Sequence, residues 1–167
     1  MPAASAWDDD KAREIVERFA TLDGATLPIL HALQDAFGYV APAATALIAD
    51  ALNLSRAEVH GAITFYHDFR DRPAGRRVIK LCRAEACQAN GCEELVAELR
   101  ARHGLDADNQ DDERLTIETV YCLGNCALGP SALVDGALVG RLRADGLAAL
   151  CDGAPAEDAQ IARGARA

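Results

Sequence analysis

Along the first half of the chain, apolar residues recur at helical intervals. Ala12, Ile15, Val16, Phe19 and Ala20 follow an acidic lead of Asp8, Asp9 and Asp10, which suits the positive end of a helix dipole, so a helix is predicted over Lys11–Ala20. A second helix is predicted from Thr26 to Phe37. Thr26 is its candidate cap, Pro28 lies in its first turn, Leu30, Leu33 and Phe37 share a face, and Gly38 follows the end. Pro42 opens a third helix, through about Leu52. Ser55-Arg-Ala-Glu58 is a capping box, with Glu58 able to reach back to the Ser55 amide, for a fourth helix through about Tyr66. Each apolar stripe is too small to be stable alone, so the four helices must pack on one another or on a partner.

Beyond Asp71-Arg-Pro-Ala-Gly75, where proline and glycine together mark a junction, the period changes. Arg77–Leu81, with Val78, Ile79 and Leu81, predicts a buried strand ending at Cys82. Asn90–Arg102 predicts a helix with Leu95, Val96 and Leu99 inward, and Asp106–Glu113 a solvated loop. Leu115, Ile117, Thr119 and Tyr121 then alternate with Thr116, Glu118 and Val120, which is strand periodicity running into Cys122. Ser131–Val134 and Ala137–Val139 flank Asp135-Gly136, a two-residue hairpin signal. A last helix, about Ala144–Cys151, precedes an Ala- and Gly-containing tail.

Strand, helix, strand, strand, strand, helix, with a parallel first pair and an antiparallel closing hairpin, suits a thioredoxin-like sandwich. The expected fold class is therefore α+β: a small N-terminal helical bundle, residues 1–72, followed by a thioredoxin-like α/β domain with a mixed sheet, residues 76–152. Residues 153–167 are expected to form a disordered tail.

The chemistry lies in that second half. Cys82-Arg-Ala-Glu-Ala-Cys87 and, after 34 intervening residues, Cys122-Leu-Gly-Asn-Cys126 each follow a predicted strand, so both loops emerge at one edge of the sheet. Four thiolates suit zinc or an iron-sulfur cluster. Structural zinc knuckles carry two to four residues between cysteines, so the first pair stands at the upper limit, and a two-iron two-sulfur cluster fits the wider loop better. Cys87 is expected just before a helix, where free amides favour a thiolate, while Gly124 and Gly129 let the second loop approach closely. A competing quartet would use Cys92, which is also separated from Cys87 by four intervening residues. Its expected place more than a turn into the helix argues against it, and Cys92 and Cys151 are taken as structural.

Composition narrows the rest. Half of the residues are apolar, enough for a real core, and the formal net charge of −9 argues against nucleic-acid binding. Residues 1–20 lack the basic start and apolar run of a secretory signal, and the most apolar stretch, Ala41–Leu54, is interrupted by Asp50 and too short to cross a bilayer. A soluble protein, with thiols rather than three disulfides, is expected. His31, His60, His67 and His103 are scattered, and none sits two residues from a cysteine as a histidine-ligated Rieske centre requires. No phosphate-cradling glycine loop, nucleophile elbow or CxxC redox pair is present, so no nicotinamide, flavin or catalytic site is expected on this chain.

Leu30-His-Ala-Leu-Gln34, Phe37-Gly-Tyr39, Thr64-Phe-Tyr66, Cys82-Arg-Ala-Glu-Ala-Cys87-Gln-Ala-Asn-Gly91 and Cys122-Leu-Gly-Asn-Cys126-Ala-Leu-Gly-Pro130 carry a resemblance. The chain resembles the thioredoxin-like 2Fe-2S ferredoxin subunits, which include the 24-kDa subunit of respiratory complex I and the small diaphorase subunits of NAD-linked hydrogenases and formate dehydrogenases. The resemblance covers about Leu27–Leu150. It implies that Cys82, Cys87, Cys122 and Cys126 bind one 2Fe-2S cluster, beside a partner diaphorase (beta-type) subunit that binds FMN and NAD. Glu85-Ala-Cys87-Gln-Ala and Tyr121-Cys-Leu-Gly-Asn-Cys126-Ala-Leu look most like the gamma subunit of cytoplasmic, NAD-dependent formate dehydrogenases, whose larger catalytic subunit carries the molybdenum cofactor and further iron-sulfur centres. The equivalent subunit of NADH:quinone oxidoreductase or of an NAD-linked hydrogenase is the alternative within this class. A zinc-stabilised interaction module is the alternative outside it.

Overall fold

A computed structural model describes residues 6–104, 110–111 and 113–157. The chain forms two compact units, Met1–Ala74 and Gly75–Ala167.

In the first unit, helix α1 (Asp9–Phe19) starts at Asp8, whose carboxylate accepts the amides of Asp10 at 2.9 Å and Lys11 at 3.0 Å. The acidic run is thus a side-chain cap followed by a favourably charged first turn. Helix α2 (Thr26–Phe37) differs from expectation at its start. Ala25 holds the cap position already in helical conformation, so the preceding turn winds directly into the helix and Thr26 makes no cap. Its end is as expected: Gly38, at φ 83°, turns left-handed and donates its amide to the Gln34 carbonyl at 2.7 Å. Helix α3 (Ala44–Leu52) ends on Asn53 in the same conformation, and α4 (Arg56–Phe65) carries the complete Ser55–Glu58 capping box. Ile29, Leu30, Leu33, Phe37, Ile48 and Val59 are fully buried in one cluster, against which Trp7 stacks on Phe37 with centroids 4.7 Å apart. Each such aliphatic or aromatic burial contributes roughly 1.5–3 kcal/mol, which is what holds helices too short to be stable alone.

The second unit is built on a mixed sheet. Strand β1 (Arg77–Cys82) is followed by helices α5 (Glu85–Ala89) and α6 (Cys92–His103), then β2 (Gln110–Asp111), β3 (Leu115–Val120), β4 (Ala132–Val134), β5 (Ala137–Val139) and α7 (Ala144–Cys151). Among the described residues the strand order is β2-β3-β1-β4-β5. Strands β1 and β3 run parallel, pairing Arg77 with Leu115 through to Cys82 with Val120, and β4 lies antiparallel on the other side of β1. Asp135 and Gly136, at φ 51° and 89°, make the β4–β5 turn, as a two-residue hairpin requires. The Asp135 carboxylate also accepts the Val78 amide at 2.8 Å, so the turn locks onto the start of β1. Ile79, Leu81, Leu95, Val96, Leu115, Leu147 and Leu150 share the core of sheet and helices.

Three local expectations change. Cys87 lies within α5, a separate helix of five residues, rather than in a loop before a longer one. Cys92 is the first residue of α6, because Gly91, at φ 90°, breaks the run between the two helices. Gln110–Asp111, within the expected loop, pairs antiparallel with β3; residues 106–109 and 112 of that loop, and 158–167 of the expected tail, lie outside the described residues.

Candidate metal centre

Strand pairing brings the two cysteine loops together. Because Cys82 is in register with Val120 in a parallel pair, the chain leaves β1 and β3 at the same end, and Cys122 follows two residues later. The Arg83 amide extends this pairing by donating to the Val120 carbonyl at 2.9 Å. The sulfurs form two pairs. Cys82 and Cys87 thiols are within hydrogen-bond reach of each other, as are those of Cys122 and Cys126, and Cys126 lies close enough to act electrostatically on both Cys82 and Cys87. Among the described residues no three His, Cys, Asp or Glu side chains gather as a site for a single ion.

Backbone amides surround the buried pair. Burial pushes the Cys82 thiol up, but hydrogen bonds from the amides of Ala84, Cys122 and Leu123 and from the Cys87 thiol outweigh it, leaving Cys82 below the ordinary thiol value. Cys87 is raised by burial first and by the Cys82 thiol next, with the Ser131 amide opposing. Cys126 is raised chiefly by its bond with Cys122. Thiols crowded this closely oppose one another's ionisation, and a bound cation reverses that balance, so the donor set fits a sulfur-loving metal group. Two pairs of thiols also match a cluster whose two irons each take two thiolates.

The second loop is held in an uncommon conformation. Cys122, at φ 71°, is left-handed, which for a residue with a side chain costs about 1–3 kcal/mol and persists only where surroundings enforce it. Gly124 is also left-handed, at φ 72°, with open space around it, so conformation rather than close approach calls for glycine there. Close approach does apply at Gly129, where a Cβ would stand 3.4 Å from the Cys87 sulfur. It applies more strongly at Gly140, where a Cβ would stand 2.7 Å from Asn125 Nδ2 and 2.9 Å from the Leu128 carbonyl oxygen. Leu142 donates its amide to Pro130 at 2.9 Å, fastening the same loop to the chain after β5.

The pairs differ in exposure. Cys82 and Cys87 are buried, and Cys122 and Cys126 are exposed. Beside the exposed pair, Tyr121 is 76% and Leu128 38% exposed, within a stretch, residues 119–134, that has no charged side chain. Cys92 is fully buried in one cluster with Cys82 and Cys87. Its position at a helix start removes the expected geometric reason for setting it aside. Its neighbour supplies another: burial already raises the thiol, and the Glu93 carboxylate, which the Cys92 sulfur faces at 3.8 Å, opposes a thiolate there and adds to burial in pushing it up to about 11. Cys151 is buried in the core, its thiol pushed up to about 11 by burial.

Sequence reasoning missed the supports. Arg83 and Glu93 form a two-pronged ion pair at 2.9 and 2.8 Å that spans from the end of β1 to the start of α6. Asn125, Ser131 and Gly140 brace the second loop, and nothing in their spacing marked them for that part.

A family model described as thioredoxin-like [2Fe-2S] ferredoxin matches residues 12–154. An NADH-quinone oxidoreductase subunit from Pseudomonas aeruginosa is 32% identical over 129 residues, 77% of this chain and 78% of that one. The HndA subunit of an NADP-reducing hydrogenase from Solidesulfovibrio fructosivorans is 32% identical over 126 residues, 73% of this chain and 74% of that one. A solved structure of an NAD+-reducing [NiFe]-hydrogenase in the air-oxidized state superposes with a TM-score of 0.65 at 27% identity. That match covers 81% of this chain and only 23% of the hydrogenase chain. Fold, cysteine loops and relatives agree, and the chain belongs to the thioredoxin-like [2Fe-2S] ferredoxin family.

Proposed function

We propose that the chain is an electron-transfer subunit carrying one 2Fe-2S cluster on Cys82, Cys87, Cys122 and Cys126, within a multi-subunit NAD-linked oxidoreductase. The convergence of both cysteine loops at one end of β1 and β3 carries this reading. Such a cluster supplies reversible one-electron transfer when bound. The residues of this chain hold it: amides hold Cys82 below the ordinary thiol value, the Ser131 amide donates to Cys87, and this buried pair anchors one side while Cys122 and Cys126 face outward. The electron partner is an FMN- and NAD-binding diaphorase subunit. The uncharged rim with exposed Tyr121 and Leu128 supports a protein cover over the outward pair, since such a face can be dried without stranding a charge.

Membership in a complex of the NADH:quinone oxidoreductase or NAD-linked hydrogenase kind is favoured by the relatives named above. The narrower formate dehydrogenase reading, with its molybdenum-containing partner, rests on the wording around Cys87 and Cys126 alone and stands second. A cytoplasmic location is part of the proposal; no helix among the described residues is long and apolar enough to cross a membrane.

Oxygen-free, iron-replete purification tests the cofactor. Two irons and two acid-labile sulfides per chain, visible absorption and an electron-spin signal on reduction are expected. A colourless, sulfide-free protein that binds zinc would refute the reading. Identification of copurifying chains then separates the complexes: membrane-embedded chains indicate quinone, a nickel-iron chain hydrogen, and a molybdenum-cofactor chain formate.

A further inference from the structure

Ser131 is polar, 1% exposed, and stands immediately before β4, where both cysteine loops pass it. Its three polar groups each go to a different part of the site. The carbonyl accepts the Cys82 amide at 3.0 Å, and the amide donates to the Cys87 sulfur. The hydroxyl accepts from Asn125 Nδ2 at 3.1 Å and can give its one proton to the Leu128 carbonyl at 3.2 Å. Asn125 and Leu128 bracket Cys126, so this hydroxyl is the side-chain bond that runs from the β1 side of the site to the loop of the outward pair.

Resting on the proposed cluster, we propose that Ser131 is a positioning residue: its hydroxyl fixes the Cys122–Cys126 loop against the Cys82–Cys87 pair and so sets the spacing between the two thiol pairs. The chemistry favours this over a purely structural part. A buried hydroxyl unable to reach water holds its partners firmly, and losing it removes the Asn125 amide's side-chain acceptor and leaves the Leu128 carbonyl to the Arg141 amide alone. Gly140 closes the loop from its other side, where a Cβ would meet both Asn125 and Leu128. The loop is therefore gripped between one serine and one glycine, and only the serine can be altered without adding volume.

Iron content, the g-values of the reduced cluster and the rate of iron release to a chelator, measured on the full chain as wild type, Ser131→Ala, Asn125→Ala and the double variant, test the proposal. Apo-protein melting is followed in parallel. Expected are two irons in each variant, shifted g-values, release faster by about tenfold, as loss of a buried hydrogen bond commonly brings, and a double variant no worse than either single one. Wild-type g-values and release rate in Ser131→Ala would overturn the proposal, as would additive effects of the two substitutions or losses seen only in apo melting. Should Ser131→Ala fail to fold, Asn125→Ala decides alone by the same signals. A wild-type protein without iron and sulfide sinks the cluster reading itself, which is a distinct result from a wild-type cluster indifferent to Ser131.

Discussion

Cys92 and the four proposed ligands differ in surroundings rather than in residue type. Amides and neighbouring thiols face Cys82 and Cys87, whereas Cys92 faces a carboxylate that disfavours its charged form. Cys122→Ala is therefore expected to abolish cluster assembly while Cys92→Ala leaves iron content nearly unchanged, as read by iron and sulfide analysis. Equal losses would refute the ligand assignment. Gly140→Ala makes a second test. The Leu128 carbonyl oxygen that a new Cβ would meet belongs to the backbone and cannot rotate aside, so the loop must shift, at about 1–3 kcal/mol. Lower cluster occupancy and a lower melting temperature are expected, and unchanged values of both would show that the loop yields freely. Spacing alone singled out the two cysteine pairs, with Cys92 left as a competitor to be weighed by its surroundings. The grip on them was not, because Asn125, Ser131 and Gly140 meet only after the chain has gone through a strand and a hairpin.

Among the elements, α4 has the clearest local code. Ser55 Oγ accepts the Glu58 amide at 3.2 Å and Glu58 accepts the Ser55 amide at 2.8 Å, so Ser55→Ala should cost about 1 kcal/mol in urea unfolding. The Ser55 backbone amide holds the Glu58 carboxyl below its usual value, with the Ser55 hydroxyl adding to this. A carboxylate depressed in the folded state stabilises above its unfolded pKa, and that gain is lost as pH falls through the folded value. The stability difference between wild type and Glu58→Ala should accordingly be full at neutral pH and shrink under acid. A difference independent of pH would assign the cap to packing. The Ser55–Glu58 box was readable in advance, whereas Asp8 stood out only as part of an acidic lead and Thr26 proved to be no cap. The short α5 was not readable, since five residues ending before the left-handed Gly91 carry too little apolar periodicity to separate a helix from the loop expected around Cys87.

For the whole molecule, all six cysteines lie between residues 82 and 151, and the side chains that brace the site, from Arg83 and Glu93 to Asn125 and Ser131, lie in Gly75–Ala167. A fragment of residues 75–167 should therefore assemble the cluster with the visible spectrum of the full chain. A fragment that folds but stays without iron would show that the helical unit takes part in the site. Apart from α5 and β2, the order of elements, the parallel first pair and the spacing of the cysteine pairs followed from the sequence, because period, turn residues and cysteine spacing are local properties that neighbours along the chain impose. Which thiols are buried and which face outward, the left-handed Cys122, and the closing of one loop onto the other by Ser131 and Gly140 were decided by tertiary structure alone. Those features arise from contacts between residues far apart in the chain, and their free energy exists only once the sheet has set the two loops side by side.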